Sequence, residues 1–409
     1  MKMYFDPDVK WESLEALKTG LTRDVPRFNA TKAREILIGA EVYSEARLLP
    51  FAMRPFDLQW CYYSPLRPLW REPRPDYWAE YKIGSPALVS RFKAAKYPEG
   101  APLAFARQLC DYHMMPPNAS VFPVLLQPSA TREKNSLQSE LLATKPETKA
   151  NLSAMAREYI SKLGIKAPDS DGETAALIWM HALAIGYSPT YLSENADGVR
   201  QDWPRIPLPE NKQALLTSAE LGKRIAALLD TEAAVKGGTS GEIRLELKSL
   251  AAPARVGGGS LKENDLELKV GWGHGGEGGA VMPGRGKILE RDYTPAERAA
   301  IAAGAQAQGL SEEQAFAHMG ATTCDVYLND VAYWSNIPAK VWEYTIGGYQ
   351  VMKKWLSYRE SKLLRRALTK EEVREVRDMA RRIAAILLLE PALNENYQAV
   401  KAHTYAWGK

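Results

Sequence analysis

Apolar residues recur at three- and four-residue spacing over long parts of this chain, which is the pattern of amphipathic helices. The pattern occurs twice before residue 50, in VKWESLEALKTGL and in NATKAREILIGAEVYSEARLL. It returns between residues 151 and 230 and again close to the C-terminus. We therefore predict helices in all three regions.

Capping residues indicate where two of these helices begin. Asp171 directly precedes GETAALIWMHALAIGY, so its carboxylate can accept hydrogen bonds from the first free N–H groups of a helix. Thr369 and Glu372 have the spacing of a capping box at the start of TKEEVREVRDMARRIAAILLL. Pro391 is expected to stop that last helix.

Other stretches predict strands or loops. Residues 50–128 are rich in Pro, Tyr, Trp and Arg, so we expect short strands, VFPVLLQP among them, and ordered loops. EIRLELKSL and DLELKVGW alternate apolar and charged residues, as half-buried strands do, and CDVYLND also predicts a strand. GWGHGG formally satisfies GxGxxG, but no helix pattern follows it, so a glycine-rich hairpin or loop is the better interpretation.

These elements predict an α+β protein of several lobes. We expect a helical N-terminal segment at 1–50, a Pro- and aromatic-rich β lobe at 51–130 and a helical lobe at 131–236. The last lobe, 237–409, combines strands, an Ala-rich insertion at 295–320 and C-terminal helices. Residues 129–150 are polar and predict a linker or surface excursion.

The net charge is small, +4 over 409 residues, but basic residues are concentrated in two stretches of the chain. From Lys340 to Arg382 there are twelve Lys and Arg against six Asp and Glu, and from Arg54 to Arg107 nine against five. Two such stretches fit a phosphate-facing surface, and they fit two solvated, ion-paired faces equally well. Three widely separated cysteines and the absence of a secretory or membrane-spanning segment predict a cytoplasmic protein with reduced thiols.

Motifs for catalysis are scarce. There is no phosphate-binding GxxxxGK[ST], no metal-ligand spacing among the five histidines, and no Pro-Pro-aromatic motif of an amino-methyltransferase beyond the poor match MPPNAS. Glu246 with Lys248, and Glu267 with Lys269, resemble half of a Mg²⁺ nuclease site if both pairs lie on strands. A divergent nuclease is therefore one alternative function.

One C-terminal stretch carries a family resemblance. NDVAYWSNIPAKVWEYTIGGYQVMKKWLSYRE resembles the C-terminal signature of Type ISP restriction–modification enzymes and related adenine methylases, in which an IP-x-x-VW step precedes GGYQV-x-x-KWL-x-x-R. Two further matches follow the family order. MRPFDLQWCYY resembles RPFD-x-RW-x-YY, with Gln59 in place of the arginine, and YSPTY…WPRIPLP resembles HSPTY…FPRIPLP, with Trp203 in place of Phe.

The resemblance implies a target-recognition, or specificity, domain that reads a short sequence in double-stranded DNA. Such a domain works beside an N6-adenine DNA methyltransferase in a restriction–modification or phage-defence system. It has no catalytic residues of its own, and S-adenosylmethionine belongs to the methyltransferase part. A protein-binding scaffold, whose basic faces pair with an acidic subunit, is the remaining alternative.

Candidate residues follow from the motifs. Gly347 and Gly348 predict a tight turn, Trp355 a core anchor, and Arg54 with Asp57 an internal ion pair. We expect a phosphate-binding surface on a helix that starts near Tyr349, with its lysines beside the exposed face. The candidate DNA-binding residues are Lys353, Lys354, Arg359, Lys340, Arg365 and Arg366 for phosphate, and Gln350, Arg71 and Arg74 for base edges.

Overall fold

Small, mostly antiparallel sheets alternate with helices along the chain, which confirms the α+β prediction. The computed structural model describes residues 1–17, 19–25, 28–70, 73–75, 77, 84–95, 98–127, 148–276 and 280–407. Most of the predicted 129–150 linker lies outside these residues.

The N-terminal segment is helical, as predicted. It contains α1 (Lys2–Phe5), α2 (Trp11–Ala16) and α3 (Ala30–Ala40). Asn29 caps α3 by accepting a hydrogen bond from the Lys32 N–H. A small apolar cluster joins these helices to the next region through Tyr62.

Short strands follow, as the proline-rich composition predicts. They are β1 (Leu48–Arg54), β2 (Asp57–Tyr62), β3 (Ala87–Ser90), β4 (Ala104–Ala106), β5 (Leu109–Cys110), β6 (Ser120–Pro123), β7 (Leu125–Leu126) and β8 (Lys149–Ala150). The strand orders are β2-β1-β5 and β4-β3-β6, and β7 pairs with β8. In the first sheet β1 and β2 are antiparallel, whereas β5 runs parallel to β1.

The next region is a group of helices. They are α4 (Ala154–Lys162), α5 (Gly172–Gly186), α6 (Pro189–Glu194), α7 (Ala196–Gln201) and α8 (Lys212–Leu229). Asp171 caps α5 as predicted. Gly222 of α8 lies against the backbone of Met180 on α5, where a Cβ would collide with the Met180 carbonyl. The absence of a side chain therefore lets the two helices pack closely.

The C-terminal region combines one four-stranded antiparallel sheet with helices. Its strands are β9 (Ala252–Arg255), β10 (Gly273–Gly275), β11 (Val281–Pro283), β12 (Ile288–Arg291), β13 (Thr323–Tyr327), β14 (Ala332–Pro338), β15 (Thr345–Ile346) and β16 (Tyr349–Gln350). Its helices are α9 (Leu245–Lys248), α10 (Pro295–Gln306), α11 (Glu312–Met319), α12 (Ala339–Glu343), α13 (Val351–Ser357), α14 (Ser361–Leu364), α15 (Lys370–Leu387) and α16 (Glu390–Ala402). The sheet order is β12-β13-β14-β9, so the Ala-rich insertion, α10 and α11, connects two neighbouring strands.

Two predicted strands are wrong. EIRLELKSL contains the helical turn α9, in which Glu246 is buried. DLELKVGW buries Leu266 and Leu268 in alternation, but its backbone forms single hydrogen bonds with separate segments, among them those of Leu328 and Ser361. The alternation of apolar and charged residues indicated which side chains are buried. A strand, however, also needs hydrogen bonds to a continuous partner strand.

The end of the chain also differs from the prediction. The capping box of Thr369 and Glu372 is confirmed at the start of α15. This helix ends at Leu387, before Pro391, and Pro391 occupies the first turn of α16. Proline has no N–H to donate, and the first turn of a helix leaves that group unused, so Pro391 helps to begin a helix instead of ending one.

The main apolar core extends through three of the four predicted lobes. Its buried members run from Ala52 to Leu393, and α15 contributes many of them. The division into lobes stays a prediction. None of the helices in the described ranges is long and apolar enough to cross a lipid bilayer.

Candidate functional site

The Gly-Gly pair of the C-terminal motif forms the predicted tight turn. Gly347 and Gly348 have φ of 55° and 80° and connect β15 to β16. Their N–H groups donate to the carbonyls of Ala101 (2.9 Å) and Glu99 (2.6 Å). A Cβ on Gly347 would press against Met115. Both the positive φ and this close approach favour glycine, and the turn is fixed to the β lobe.

The helix after this turn, α13, is mostly buried. Trp355 is 1% exposed, which confirms that it is a core anchor, and its neighbour Leu356 is equally buried. Lys354 was expected beside the exposed face, but it is only 6% exposed. Its ammonium donates to the Val281 carbonyl at 2.8 Å, so the fold itself uses this charge.

The RPFD motif forms the turn between β1 and β2, with Phe56 at φ 62°. The expected ion pair between Arg54 and Asp57 is replaced by two others. Arg54 pairs with Asp111 (2.6 Å) and Asp57 pairs with Arg359 (2.7 Å). Each side chain meets a partner from a different element, because the end of the hairpin lies between the loop that carries Asp111 and the end of α13.

Two family motifs, far apart in the sequence, therefore meet in space. The Asp57 and Arg359 side chains are 1% and 7% exposed, so their ion pair is shielded from water. Arg359 also lies on the ring of Trp355, with 3.7 Å between its guanidinium carbon and the ring centroid. Arg359 was expected to bind phosphate, and the structure instead places it inside the protein.

Cations also flank two tyrosines here. The guanidinium carbon of Arg54 lies 5.5 Å from the Tyr349 ring and 5.7 Å from the Tyr358 ring, and Lys354 Nζ lies 4.5 Å from the Tyr358 ring. Burial raises the pKa of the Tyr358 hydroxyl, although Arg54 opposes this rise. Tyr358 therefore stays neutral near pH 7. We call this cluster the motif junction: Arg54, Asp57, Asp111, Tyr349, Lys354, Tyr358 and Arg359.

Other basic residues of the same stretch face solvent. Lys353 is half-buried, and Lys362 and Arg365 are exposed. Within the described ranges, none of these three side chains has a hydrogen-bond or ion-pair partner. We call them the surface cations. Arg366 is exposed but forms two short contacts with Glu372, of 2.6 and 2.9 Å.

The remaining candidates have local partners. Lys340 is exposed, and its ammonium donates to the Ala317 carbonyl at 2.6 Å. Gln350 is half-buried, and its amide nitrogen donates to the Trp342 carbonyl at 2.7 Å. Arg74 is exposed, with its guanidinium 4.7 Å from the ring of Tyr112. Arg71 lies outside the described residues.

The third family motif, residues 187–209, is part of the framework. Ser188 caps α6, and its hydroxyl donates to Asn394 at 2.8 Å. PRIPLP is extended and partly buried, and its Pro207 carbonyl lies 2.8 Å from Nε2 of His181. Burial lowers the pKa of His181 to about 4. This histidine is therefore neutral at pH 7.

The predicted nuclease pairs do not form a metal site. Glu246 is 1% exposed and pairs with Arg244 at 2.9 Å. Glu267 pairs with Lys269 of the same segment. In the part of the chain that the structure describes, no three His, Cys, Asp or Glu side chains come together as ligands for a metal.

Sequence reasoning missed Asp111 and Val281, which bind two of the three cations of the motif junction, Arg54 and Lys354. Asp111 is 57 residues from Arg54, and Val281 binds Lys354 through its backbone carbonyl, 73 residues away. Neither contact has a local sequence signal.

Comparison with known proteins identifies the family of this chain. The family profile of the Type ISP C-terminal specificity domain matches residues 10–385, so the chain belongs to that family. A search among curated proteins gave no match.

Solved structures extend the comparison. The structure of a DrdV–DNA complex has a TM-score of 0.51 at 13% identity, and the match covers 96% of this chain and 32% of that one. The ATP-dependent Type ISP restriction–modification enzyme LlaBIII bound to DNA has a TM-score of 0.49 at 13% identity, covering 97% of this chain and 21% of that one. The chain thus spans a third or less of these proteins. The first comparison shows a shared fold.

Proposed function

We propose that this chain is the target-recognition module of a Type ISP-like restriction–modification system, binding a specific sequence in double-stranded DNA. The family match over residues 10–385 carries the proposal. The chain has no catalytic role of its own in this proposal. The segments suggested for a nuclease contribute a buried ion pair and a surface ion pair, which leaves the nuclease alternative without support.

The surface cations supply the electrostatic part of binding. Lys353, Lys362 and Arg365 lie on or beside two consecutive helices, α13 and α14. Phosphate contacts of this kind release counterions from the duplex and fix the register of a protein on DNA. The motif junction holds α13 against the β1–β2 hairpin through the pair of Asp57 and Arg359, and it thereby keeps these cations in place.

A methyltransferase domain or subunit is the proposed partner. S-adenosylmethionine binds to that partner, which methylates adenine at N6. The recognition module holds the duplex at the target sequence while the partner extracts its base. Because this chain corresponds to only 32% of the chain in the DrdV–DNA complex, the proposal assigns the reaction to parts outside this chain.

Selection from random duplexes tests the proposal. We expect the purified chain to enrich a motif of several base pairs at near-physiological salt. The double variant Lys353→Ala/Arg365→Ala should lose affinity roughly equally for all sequences, since phosphate contacts carry no sequence information.

A matched control removes the same charge elsewhere. Lys32 and Lys166 are exposed and lie in other parts of the chain, so Lys32→Ala/Lys166→Ala should bind almost as the unchanged protein does. Equal losses in both double variants would show that only total charge matters. No binding at low salt would contradict the proposal and favour a protein-binding scaffold.

A further inference from the structure

A cleft lies between the third family motif and the loop that follows β3. Its volume is about 490 Å³, and sites that hold small ligands measure about 300–1,000 Å³. All of its described lining residues except Phe92 belong to residues 187–209. A hydrogen bond of 3.0 Å from the Ala94 N–H to the Arg200 carbonyl connects the loop to the motif. We call this site the aromatic cleft.

Two aromatic rings line the aromatic cleft, and a third ring supports them. The rings of Phe92 and Trp203 meet edge to face, with their centroids 5.8 Å apart. Phe122 of β6 makes a second edge-to-face contact with Trp203, at 5.5 Å. Trp203 is thus held by two rings, whereas the Phe92 side chain stays 55% exposed. The lining therefore offers a flat ligand a preformed aromatic surface.

Amide groups in the same lining have hydrogen-bonding capacity that the fold does not use. The Asn195 amide nitrogen donates to the Tyr191 carbonyl (2.9 Å) and to the Tyr397 hydroxyl (3.3 Å), which fixes the orientation of the amide. Among the described residues, no donor reaches its Oδ1. Gln201 is exposed, and its amide has no hydrogen-bond partner within the described ranges either.

Arg205 adds a positive charge to the lining. Its side chain is 89% exposed, and its guanidinium lies 3.3 Å from the Asp202 carboxylate. Asp202 also accepts the N–H of Trp203 at 2.8 Å, so this ion pair is attached to the aromatic part of the lining. An ion pair this exposed is weak, and a guanidinium binds phosphate well, so Arg205 can exchange Asp202 for a phosphate group.

These three features together match a nucleotide. A nucleobase stacks on aromatic side chains, and its edge carries the donors and acceptors that carboxamides complement. A purely apolar ligand would leave Asn195 Oδ1 and the Gln201 amide without partners and without water, which is costly. An anion without a ring would leave the aromatic surface uncovered.

We propose that the aromatic cleft binds a nucleotide, with its base stacked on Phe92 or Trp203. Asn195 and Gln201 hydrogen-bond to the edge of the base, and Arg205 contacts a phosphate. Two sources supply this chemistry: a base unstacked from the bound duplex, and a free mononucleotide. The first source rests on the proposed function, whereas the second does not.

The deciding variant is Phe92→Ala, because it removes a stacking surface from an exposed position. Its control is Trp407→Ala, since Trp407 is also aromatic, is 44% exposed and does not belong to the residues that line the cleft. Both variants should keep nearly the unfolding temperature of the unchanged chain, as surface substitutions usually do. Gln201→Ala is a second test of the cleft, and it should reduce the difference in affinity between the four bases.

Two titrations separate the two sources. Equilibrium dialysis with dAMP, dGMP, dCMP and TMP measures binding of free mononucleotides. The duplex enriched by selection is then compared with duplexes in which one base, at each position in turn, has no pairing partner. An unpaired base costs less to unstack, so a base that enters the cleft should bind more tightly when it is unpaired. We expect Phe92→Ala to weaken binding of the responding ligand roughly fivefold to a hundredfold, the range for lost base stacking, and Trp407→Ala to leave it unchanged.

Each outcome decides between the proposals. Binding of a mononucleotide, or preference for an unpaired base, that Phe92→Ala weakens supports the aromatic cleft and identifies the source of its ligand. Equal binding by Phe92→Ala and the unchanged chain overturns the cleft proposal, as does the absence of both responses. Binding of the fully paired enriched duplex would then leave the proposed function intact. A chain that binds no duplex contradicts the proposed function alone, because dialysis with mononucleotides still decides whether the cleft binds a nucleotide.

Discussion

Lys353 and Lys354 are neighbours in the sequence, yet they belong to two regions with opposite uses of charge. Lys354 is part of the motif junction, where every cation has a partner inside the protein. Lys353 is one of the surface cations, for which the described residues supply no such partner. A basic motif can thus serve stability through one residue and binding through the next. Stability and DNA affinity should therefore respond to different substitutions.

The largest effect is expected at the buried ion pair of the motif junction. Asp57→Ala leaves the guanidinium of Arg359 buried without its partner, which should cost about 3–5 kcal/mol of unfolding free energy. Chemical denaturation measures it. Asp202→Ala breaks the exposed pair of Asp202 and Arg205, whose side chains are 41% and 89% exposed, and should change stability by less than about 1 kcal/mol. Equal effects in both variants would contradict the division between interior and surface charges.

His181 is a buried ionisable group outside the motif junction, and its effect on stability can be tested by varying the pH. The pKa of His181 is about 4 in the folded protein and about 6.5 in the unfolded chain, because burial disfavours its charged form. Between these values the unfolded chain binds more protons, so unfolding free energy falls as pH falls from about 6.5 to about 4, by about 3 kcal/mol in total.

His181→Gln should remove this part of the pH dependence in denaturation experiments between pH 7 and pH 4. His403→Gln is the control, because the His403 side chain is 68% exposed. An unchanged slope in His181→Gln would show that other groups cause the acid sensitivity.

The two adjacent lysines allow the most direct test. Lys354→Met keeps the aliphatic length of the side chain but removes the donor to the Val281 carbonyl, so we expect a loss of about 1–3 kcal/mol. Lys353→Met should change the unfolding free energy by less than about 0.5 kcal/mol, as surface substitutions usually do. Thermal and urea unfolding of the two variants measure these changes in unfolding free energy. A reversed order would place the structural role on Lys353.

The smallest effect on stability, and the clearest one on binding, is expected at the surface cations. Lys353→Ala/Arg365→Ala should leave unfolding unchanged and reduce the salt dependence of DNA affinity. Each lost phosphate contact lowers the slope of log K against log salt by about 0.9, so the double variant should lose about 2. DNA titrations at several salt concentrations measure this slope. An unchanged slope would exclude both residues from phosphate contact.

Elements whose signals are local could be predicted from the amino-acid sequence. Asp171 and the capping box of Thr369 and Glu372 predicted helix starts correctly, because a cap acts within one turn of its own helix. Gly347 and Gly348 predicted their turn, since positive φ is a property of the single residue. The family motifs could also be identified in the sequence, and the family match confirms the resemblance.

Which side chains meet depends on the tertiary structure. Arg54 pairs with Asp111 instead of Asp57, and the segment of Glu246 became a helical turn although its pattern alternates like a strand. Lys353 and Lys354 are the same type of residue, with the same charge and the same helix propensity. Lys354 is buried where it contacts Val281 of β11 and the ring of Tyr358, whereas Lys353 stays half-buried at the surface. Burial of a charge depends on long-range partners, and local sequence does not encode them.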